Sequence, residues 1–238
     1  RDLVRSRGLG DVYKRQLLHG WGANLDCFAG IATDLEQNFT VYRLDFWGFG
    51  ASDEPPKFAG IEMYAKAVAD FIYDIIGAKT DIIGHSFGGR VAILLGANCN
   101  FVDKIVLVDS AGLKPRKNIA KRIREYRYKA VKKKVAQGKC SAEVLDTFGS
   151  ADYKALNETM RNVFVRVVNT DLAKIASEIT NPVLLVWGKH DHETPLYMAK
   201  KLRKIIKNST LQVLEGGHFC FIDASNEFLR VCYDFLLD

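Results

Sequence analysis

Short apolar runs rich in β-branched residues alternate with longer amphipathic stretches along most of this chain, and this alternation constrains the fold more than any other feature. The first strand-like run ends at 17–18, and the others follow at 40–44, 81–84, 105–108, 183–187 and 211–214. Apolar residues at helical spacing occur at 64–76, 90–98, 198–206 and 228–236. This order is typical of an α/β fold, in which helices flank a mostly parallel sheet.

The segment after the fourth strand-like run interrupts the alternation. Residues 114–178 have the pattern of helices, and the next strand-like run begins only at 183. A connection between neighbouring strands normally needs far fewer residues. We therefore expect residues 114–178 to form a helical lid, inserted into a single core made of residues 17–113 and 179–238.

The sequence GHSFG at 84–88 lies between a strand-like run and a helical stretch that begins near Arg90. Glycines on both sides of Ser86 allow a tight turn that presents the serine hydroxyl in a strained backbone conformation. A serine hydroxyl is a weak nucleophile at neutral pH. The motif therefore predicts a histidine base elsewhere in the chain, oriented by a carboxylate.

His218 and Asp191 are the candidates for these two partners. Of the five histidines, only His218 follows the last predicted strand, in the glycine-rich loop 215–219. Asp191 follows the fifth strand-like run, at the carboxyl end of a strand, where open α/β sheets collect functional groups. Asp109 directly follows the fourth run and could also reach the histidine, so the sequence leaves the choice of carboxylate open.

Acyl transfer also requires backbone N–H donors that face the negative charge developing on a carbonyl oxygen. The candidate donors are the amide of Phe87, directly after the serine, and the amide of Trp21 in the turn HGWG at 19–22. Aromatic residues around this site predict an apolar wall that suits a small apolar or aromatic acyl group. The candidate substrate contacts are Gly20, Phe46 and Phe219.

Five motifs in this order, HGWG, DFWGFGAS, GHSFGG, WGKHDHETP and EGGHF, resemble the landmarks of the α/β-hydrolase superfamily from Leu17 to the C-terminus. The resemblance implies an eight-stranded, mostly parallel sheet with a helical cap, and a catalytic triad made of Ser86, Asp191 and His218. It also implies hydrolysis of an ester, thioester, amide or activated carbon–carbon bond of a small molecule, through an acyl-enzyme or oxyanion intermediate.

The N-terminal segment departs from this pattern. Residues 6–16, SRGLGDVYKRQ, resemble the translation of a sequencing adapter, and the family pattern starts abruptly at Leu17. The first two strands of the family have no counterpart before that point. We therefore expect residues 1–16 to be non-native and those two strands to be missing.

Cysteine content and apolar run length bear on the environment of the chain. The five cysteines are widely spaced, and none forms a C-x-x-C pair, which argues against a disulfide framework or a zinc site and favours a reducing cytoplasm. No apolar run approaches the roughly 20 residues that a membrane-spanning helix needs. The sequence indicates neither a metal nor a cofactor, and it predicts no integral membrane role.

A strongly basic run occupies the first part of the predicted lid. Residues 114–139 contain twelve Lys or Arg and a single acidic residue, Glu125, whereas the whole chain has a net charge of +6. Such a run forms a solvated helix face, or it attracts an anionic substrate, an acidic partner or a membrane surface. No nucleic-acid-binding signature accompanies it, so a nucleic-acid partner is not expected.

Two classes of function fit these features. The first is a serine hydrolase that uses the triad named above. The second is a ligand-binding receptor or interaction protein on the same scaffold, with little turnover. Reaction of the serine with an organophosphonate discriminates between them, because only an activated serine reacts readily.

Overall fold

A seven-stranded sheet forms the centre of the computed structural model, which describes residues 5–7, 13–116, 119–141, 144 and 151–238. The strands are β1 (Arg5–Arg7), β2 (Lys14–Leu18), β3 (Thr40–Leu44), β4 (Thr80–His85), β5 (Val102–Val108), β6 (Val183–Gly188) and β7 (Ser209–Leu214). They lie side by side in the order β1-β3-β2-β4-β5-β6-β7, and all are parallel except β1. The predicted α/β fold with a mostly parallel sheet is thus confirmed.

Helices occupy the connections between these strands. They are α1 (Ala29–Leu35), α2 (Ile61–Phe71, extended by a π turn at Ile72–Ile76), α3 (Phe87–Asn98), α4 (Ile119–Ala136), α5 (Ala151–Ala155), α6 (Glu158–Asn169), α7 (Ala173–Ala176), α8 (Tyr197–Ile205), α9 (Cys220–Asp223) and α10 (Ser225–Leu237). A 3₁₀ turn at Leu25–Phe28 precedes α1. Among the described helices, none is both long and apolar enough to cross a membrane.

The central strands are buried on both faces because helices cover the sheet from both sides. Strands β4 and β6 are buried along their whole length, and β5 over its last four residues. Ile82 and Leu107 point into a cluster with α2, α3 and α8, whereas Ile83 and Val106 point into a cluster with α1 and α10. This burial explains why the strands read as nearly continuous apolar runs in the sequence.

The start of the chain differs from the expected pattern. Strand β2 begins at Lys14, and Arg15 and Gln16 are buried within it; Arg15 forms an ion pair with Asp81 of β4 at 2.6 Å. A short antiparallel strand, β1, lies at the sheet edge where the sequence indicated none, because its residues Arg-Ser-Arg carry no apolar signal. That residues 1–16 are non-native stays a prediction, and residues 1–4 and 8–12 lie outside the described part.

Helices α4 to α7 follow β5 and precede β6, in the segment expected to form the lid. Within that segment, 117–118, 142–143 and 145–150 are outside the described residues. Helix α6 packs on the core through Met160 and Val163, and the ring of Phe164 lies 5.1 Å from that of Trp21. Helix α6 therefore lies against the HGWG turn, while the function of the whole segment as a lid stays a prediction.

Candidate active site

Ser86 stands in the sharp turn between β4 and α3. Its φ of 50° and ψ of −107° belong to a region that side-chain-bearing residues rarely adopt, so the turn is strained. Glycines make this turn possible. A Cβ atom on Gly88 would lie 2.0 Å from the carbonyl oxygen of Leu18, and one on Gly84 would lie 2.6 Å from that of Gly88.

A line of hydrogen bonds joins Ser86, His218 and Asp191. Oγ of Ser86 lies 3.0 Å from Nε2 of His218, and Nδ1 of His218 lies 2.9 Å from Oδ2 of Asp191. An ionised carboxylate can only accept, so Nδ1 carries the hydrogen and Nε2 of the neutral ring is the acceptor for the serine hydroxyl. The structure thus brings together the three residues that the sequence singled out from three distant segments.

The carboxylate of Asp191 is fixed by the turn that follows β6. Oδ1 accepts the backbone N–H groups of Glu193 (2.8 Å) and Thr194 (3.0 Å), and the Thr194 hydroxyl donates to Oδ2 at 2.6 Å. Burial opposes ionisation, but the hydrogen bonds from His218 and Thr194 lower the pKa of Asp191 to about 2. Sequence reasoning missed Thr194, although an aspartate commonly binds backbone N–H groups two or three residues later.

The charges around His218 favour its protonated form. Burial lowers the pKa of His218, yet the hydrogen bond and charge of Asp191, together with the charges of Glu193 and Asp109, raise it above its ordinary value. Oε2 of Glu193 lies only 3.3 Å from Nε2 of His218. Sequence reasoning missed this second carboxylate, because no motif marks it.

Asp109, the alternative acid, has a different set of partners. Its Oδ1 accepts the N–H of Gly188 at 2.7 Å, and its Oδ2 accepts the N–H of Cys220 at 3.2 Å. It is fully buried, and burial raises its pKa to about 6. Asp109 therefore joins the end of β6 to the segment after His218, whereas Asp191 contacts the histidine ring directly.

The HGWG turn is fixed by the first residue of its motif. The His19 ring accepts the N–H of Phe46 at Nε2 (3.0 Å), so its hydrogen is on Nδ1, which donates to the carbonyl oxygen of Gly20 at 2.7 Å. Burial lowers the pKa of His19 to about 4 and keeps it neutral. A Cβ atom on Gly20 would lie 3.4 Å from Cβ of Ser86, so this turn lies directly beside the serine.

The two expected oxyanion donors lie on either side of the same turn. Phe87 is the first residue of α3, and the first amides of a helix have no acceptor within the helix. In the described part of the chain, no hydrogen bond engages the backbone N–H of Trp21 or of Phe87. Their rings are 5.4 Å apart. Both amides are free to bind an oxyanion, and this role stays a prediction.

His85, the residue before the serine, connects the turn to the histidine loop. Its Nε2 donates to the carbonyl oxygen of His218 at 2.7 Å, and its ring lies 4.9 Å from the ring of Phe219. Burial lowers the pKa of His85 to about 3, so the ring stays neutral. The sequence motif allows any residue at this position, and so it could not indicate this contact.

The candidate substrate contacts occupy different environments. Phe46 is buried, with its ring 5.0 Å from that of Phe87, and so it supports the site from within the core. Phe219 is 41% exposed, with its ring 5.6 Å from that of His218. Contact between substrate and Gly20, Phe46 or Phe219 stays a prediction.

Relatives of known activity cover nearly the whole chain. The pimeloyl-[acyl-carrier protein] methyl ester esterase of Neisseria meningitidis serogroup B is 28% identical over 249 residues, which span 94% of this chain and 93% of the relative. Pyrrolizixenacetamide deacetylase of Xenorhabdus hominickii is 25% identical over 240 residues, which span 93% and 90%.

Solved structures share the fold. An esterase from Exiguobacterium antarcticum superimposes with a TM-score of 0.79 at 22% identity, and an enol-lactonase from Burkholderia xenovorans LB400 with 0.79 at 20%. Each match covers 100% of this chain and 96% of the solved one. The prediction of a hydrolytic enzyme is confirmed by the esterase relative and by the family whose sequence profile matches the chain. Because the family's sequence profile matches residues 17–231, the chain belongs to the alpha/beta hydrolase family.

Proposed function

We propose that the protein is a serine hydrolase that cleaves an ester or a related acyl bond of a small molecule, with Ser86 as nucleophile. The observation that carries this proposal is the line of hydrogen bonds from Oγ of Ser86 through His218 to Asp191, with distances of 3.0 and 2.9 Å. These distances suit proton transfer from the hydroxyl to the imidazole.

In the first step, Oγ of Ser86 attacks the carbonyl carbon of the substrate while Nε2 of His218 takes the hydroxyl proton. The ring becomes an imidazolium, whose charge is stabilised by the ionised carboxylate at 2.9 Å. The carbonyl oxygen becomes an oxyanion. The N–H groups of Trp21 and Phe87 are the donors we assign to it.

In the second step, the tetrahedral intermediate collapses and the bond to the leaving group breaks. His218 gives its Nε2 proton to the leaving group, and an acyl-enzyme forms on Ser86. A water molecule, deprotonated by the same nitrogen, then attacks the acyl carbon. Collapse of the second intermediate returns the proton to Oγ and releases the acid.

We place oxygen esters first among the candidate bonds, because one relative is a methyl ester esterase. Amides come next, because another is a deacetylase. Thioesters and activated carbon–carbon bonds require the same nucleophile and oxyanion donors, and the pocket walls decide among them. A panel of 4-nitrophenyl esters, acyl thioesters, aminoacyl amides and diketones ranks the four classes by kcat/KM.

Covalent labelling tests the serine. We expect a fluorophosphonate probe to label the wild-type protein, and Ser86→Ala to abolish the label. Ser177→Ala is the matched control. This serine is exposed, and its hydroxyl donates to the carbonyl oxygen of Lys174 instead of to a histidine. Equal labelling of wild type and Ser86→Ala would contradict the assignment. Absence of labelling in wild type would instead favour a binding protein with little turnover.

A further inference from the structure

We propose that Glu193 is a specificity-determining residue that favours substrates with a cationic group on the leaving side of the scissile bond. The inference rests on the proposed function, because it uses His218 as the group that protonates the leaving atom. It adds a charge preference that the triad itself does not contain.

The position of Glu193 is fixed by the acid of the proposed triad. It lies in the turn between β6 and α8, and its backbone N–H donates to Oδ1 of Asp191 at 2.8 Å. From there its carboxylate reaches the outer side of the histidine ring, where Oε2 lies 3.3 Å from Nε2 of His218. The Glu193 side chain is 70% exposed, whereas that of His218 is 8% exposed. The carboxylate therefore lies between the base and solvent.

The described part of the chain offers this carboxylate no Lys or Arg as a counter-ion. In the described ranges, the ion pair of Glu193 is with His218, and no Lys or Arg lies within ion-pair distance of it. Glu215 provides the contrast, because Lys189 and His190 both contact its carboxylate. When His218 is neutral, no side chain among the described residues compensates the negative charge that Glu193 places beside the imidazole.

The chemistry places the leaving group next to that charge. To receive the Nε2 proton, the leaving atom must come within hydrogen-bonding distance of His218, about 3 Å. An ammonium group carried two or three bonds beyond the leaving atom then lies within reach of the Glu193 carboxylate. An anionic group at the same place is repelled.

Solvent limits the size of this preference. Ion pairs between exposed groups typically change an equilibrium by about two- to fivefold, and salt screens them. We therefore expect a two- to fivefold preference in kcat/KM for a cationic leaving group at low ionic strength. The preference should shrink at about 0.5 M salt.

The same carboxylate also acts on the pH dependence of the base. The charged or titratable groups that face His218 are Asp191, Glu193, Asp109 and His85. Removing the charge of Glu193 leaves the other three in place and lowers the pKa of His218. Since the neutral ring is the active base, the acidic limb of the kcat/KM profile should move to lower pH. A purely structural role of Glu193 would not produce this shift.

The test compares two butyrate esters of similar shape, butyrylcholine and 3,3-dimethylbutyl butyrate, which differ in the charge of the leaving alcohol. We expect wild type to hydrolyse the choline ester two- to fivefold faster in kcat/KM. Glu193→Gln should lower the choline-to-isostere ratio by two- to fivefold and Glu193→Lys should lower it further, since the inductive effect of the ammonium group on the leaving alcohol is the same in all three enzymes. Glu227→Gln, the same substitution at an exposed position of α10, is the control and should keep the wild-type ratio.

Two results would overturn the inference while leaving the serine hydrolase intact. One is a choline-to-isostere ratio that is the same in wild type and Glu193→Gln. The other is an unchanged acidic limb in Glu193→Gln, measured on any neutral ester that the enzyme hydrolyses. Failure of the proposed function gives a different result, because Ser86 would then not react with the fluorophosphonate. Both proposals would be wrong in that case.

Discussion

Oδ2 of Asp191 lies 2.9 Å from Nδ1 of His218, on the side of the ring opposite Ser86. The sequence left Asp109 as the alternative carboxylate to orient the histidine, and both residues follow the carboxyl ends of neighbouring strands. They differ in what their oxygen atoms accept. Both oxygens of Asp109 accept backbone N–H groups, whereas Asp191 directs one oxygen to the imidazole. This division of roles predicts that replacement by asparagine mainly lowers activity at Asp191 and mainly lowers stability at Asp109.

We expect Asp191→Asn to lower kcat by about 10⁴-fold in protein that remains folded, because an amide no longer holds the hydrogen on Nδ1 of His218. Asp109→Asn should instead lower the free energy of unfolding by about 1–3 kcal/mol, since one buried N–H, of Gly188 or Cys220, loses its acceptor. The folded Asp109→Asn protein should keep most of its activity. Steady-state kinetics and thermal unfolding of both variants separate the two effects.

The roles would have to be exchanged if Asp109→Asn removed activity in protein that remains folded while Asp191→Asn left the rate unchanged. The pH profile gives a second check. Loss of the Asp191 charge should lower the pKa of His218, so that any residual activity persists to lower pH than in wild type. Loss of the more distant Asp109 charge should shift the profile less.

Much of this fold could be predicted from sequence because buried parallel strands need apolar residues on both faces. Runs such as 105–108 and 183–187 carry that signal, and they correspond to parts of β5 and β6. The residues that end these strands are fixed by topology. Because β4, β5 and β6 are parallel and lie side by side, the residues that follow them, Ser86, Asp109 and Asp191, lie at the same edge of the sheet.

The contacts missed by sequence reasoning depend on the path of turns rather than on strand order. Glu193 reaches His218 from the turn in which Asp191 accepts its N–H, and no spacing rule predicts the direction of its side chain. His85 bridges to the His218 carbonyl across 133 residues of sequence. Only the end of β2, at residues 17–18, gives a strand signal in the sequence, because Arg15 and Gln16 are polar despite their burial.

Substitution of Gly20 tests how closely the HGWG turn approaches the serine. A Cβ atom there would lie 2.9 Å from Nδ1 of His85 and 3.4 Å from Cβ of Ser86. We expect Gly20→Ala to push the turn away and displace the Trp21 amide, lowering kcat by about 10²-fold or more. The free energy of unfolding measured with urea should fall by less than the activation free energy for kcat rises.

Gly30→Ala is the matched control for this change. Gly30 lies in α1, and an added Cβ atom meets nothing within 4 Å there. Alanine also favours helix over glycine by up to about 1 kcal/mol. This variant should therefore retain full activity and be equally or more stable. A Gly20→Ala enzyme as active as Gly30→Ala would argue against an oxyanion role for this turn.

The basic run of the predicted lid gives a prediction about ionic strength. The side chains described in α4 from residue 126 onward are mostly exposed, among them Arg127, Lys129 and Lys132. If this run steers anionic substrates, salt should lower kcat/KM for an ester with a carboxylate on its acyl side and leave a neutral ester unaffected. A flat response for both esters would mean that α4 presents only a solvated face. Glu193 acts on the leaving side, so the two charge effects can be measured separately.

The last prediction concerns Gln16, a fully buried amide in the centre of the sheet. Its Nε2 donates to the carbonyl oxygens of Leu17 and Tyr42, but within the described structure its Oε1 has no hydrogen-bond partner. Burial of an unpaired polar atom costs about 1–3 kcal/mol, whereas the two bonds donated by Nε2 are long, at 3.2 and 3.3 Å, and a leucine side chain adds buried apolar surface. We therefore expect Gln16→Leu, which keeps a similar volume, to raise the free energy of unfolding by about 1 kcal/mol.

Urea denaturation followed by circular dichroism measures this change, with Gln37→Leu at an exposed position as the control that should leave the midpoint nearly unchanged. Activity should not change, because Gln16 lies in β2, ahead of the HGWG turn that approaches the serine. A lower midpoint for Gln16→Leu would mean that the two bonds donated by Nε2 outweigh the unpaired oxygen.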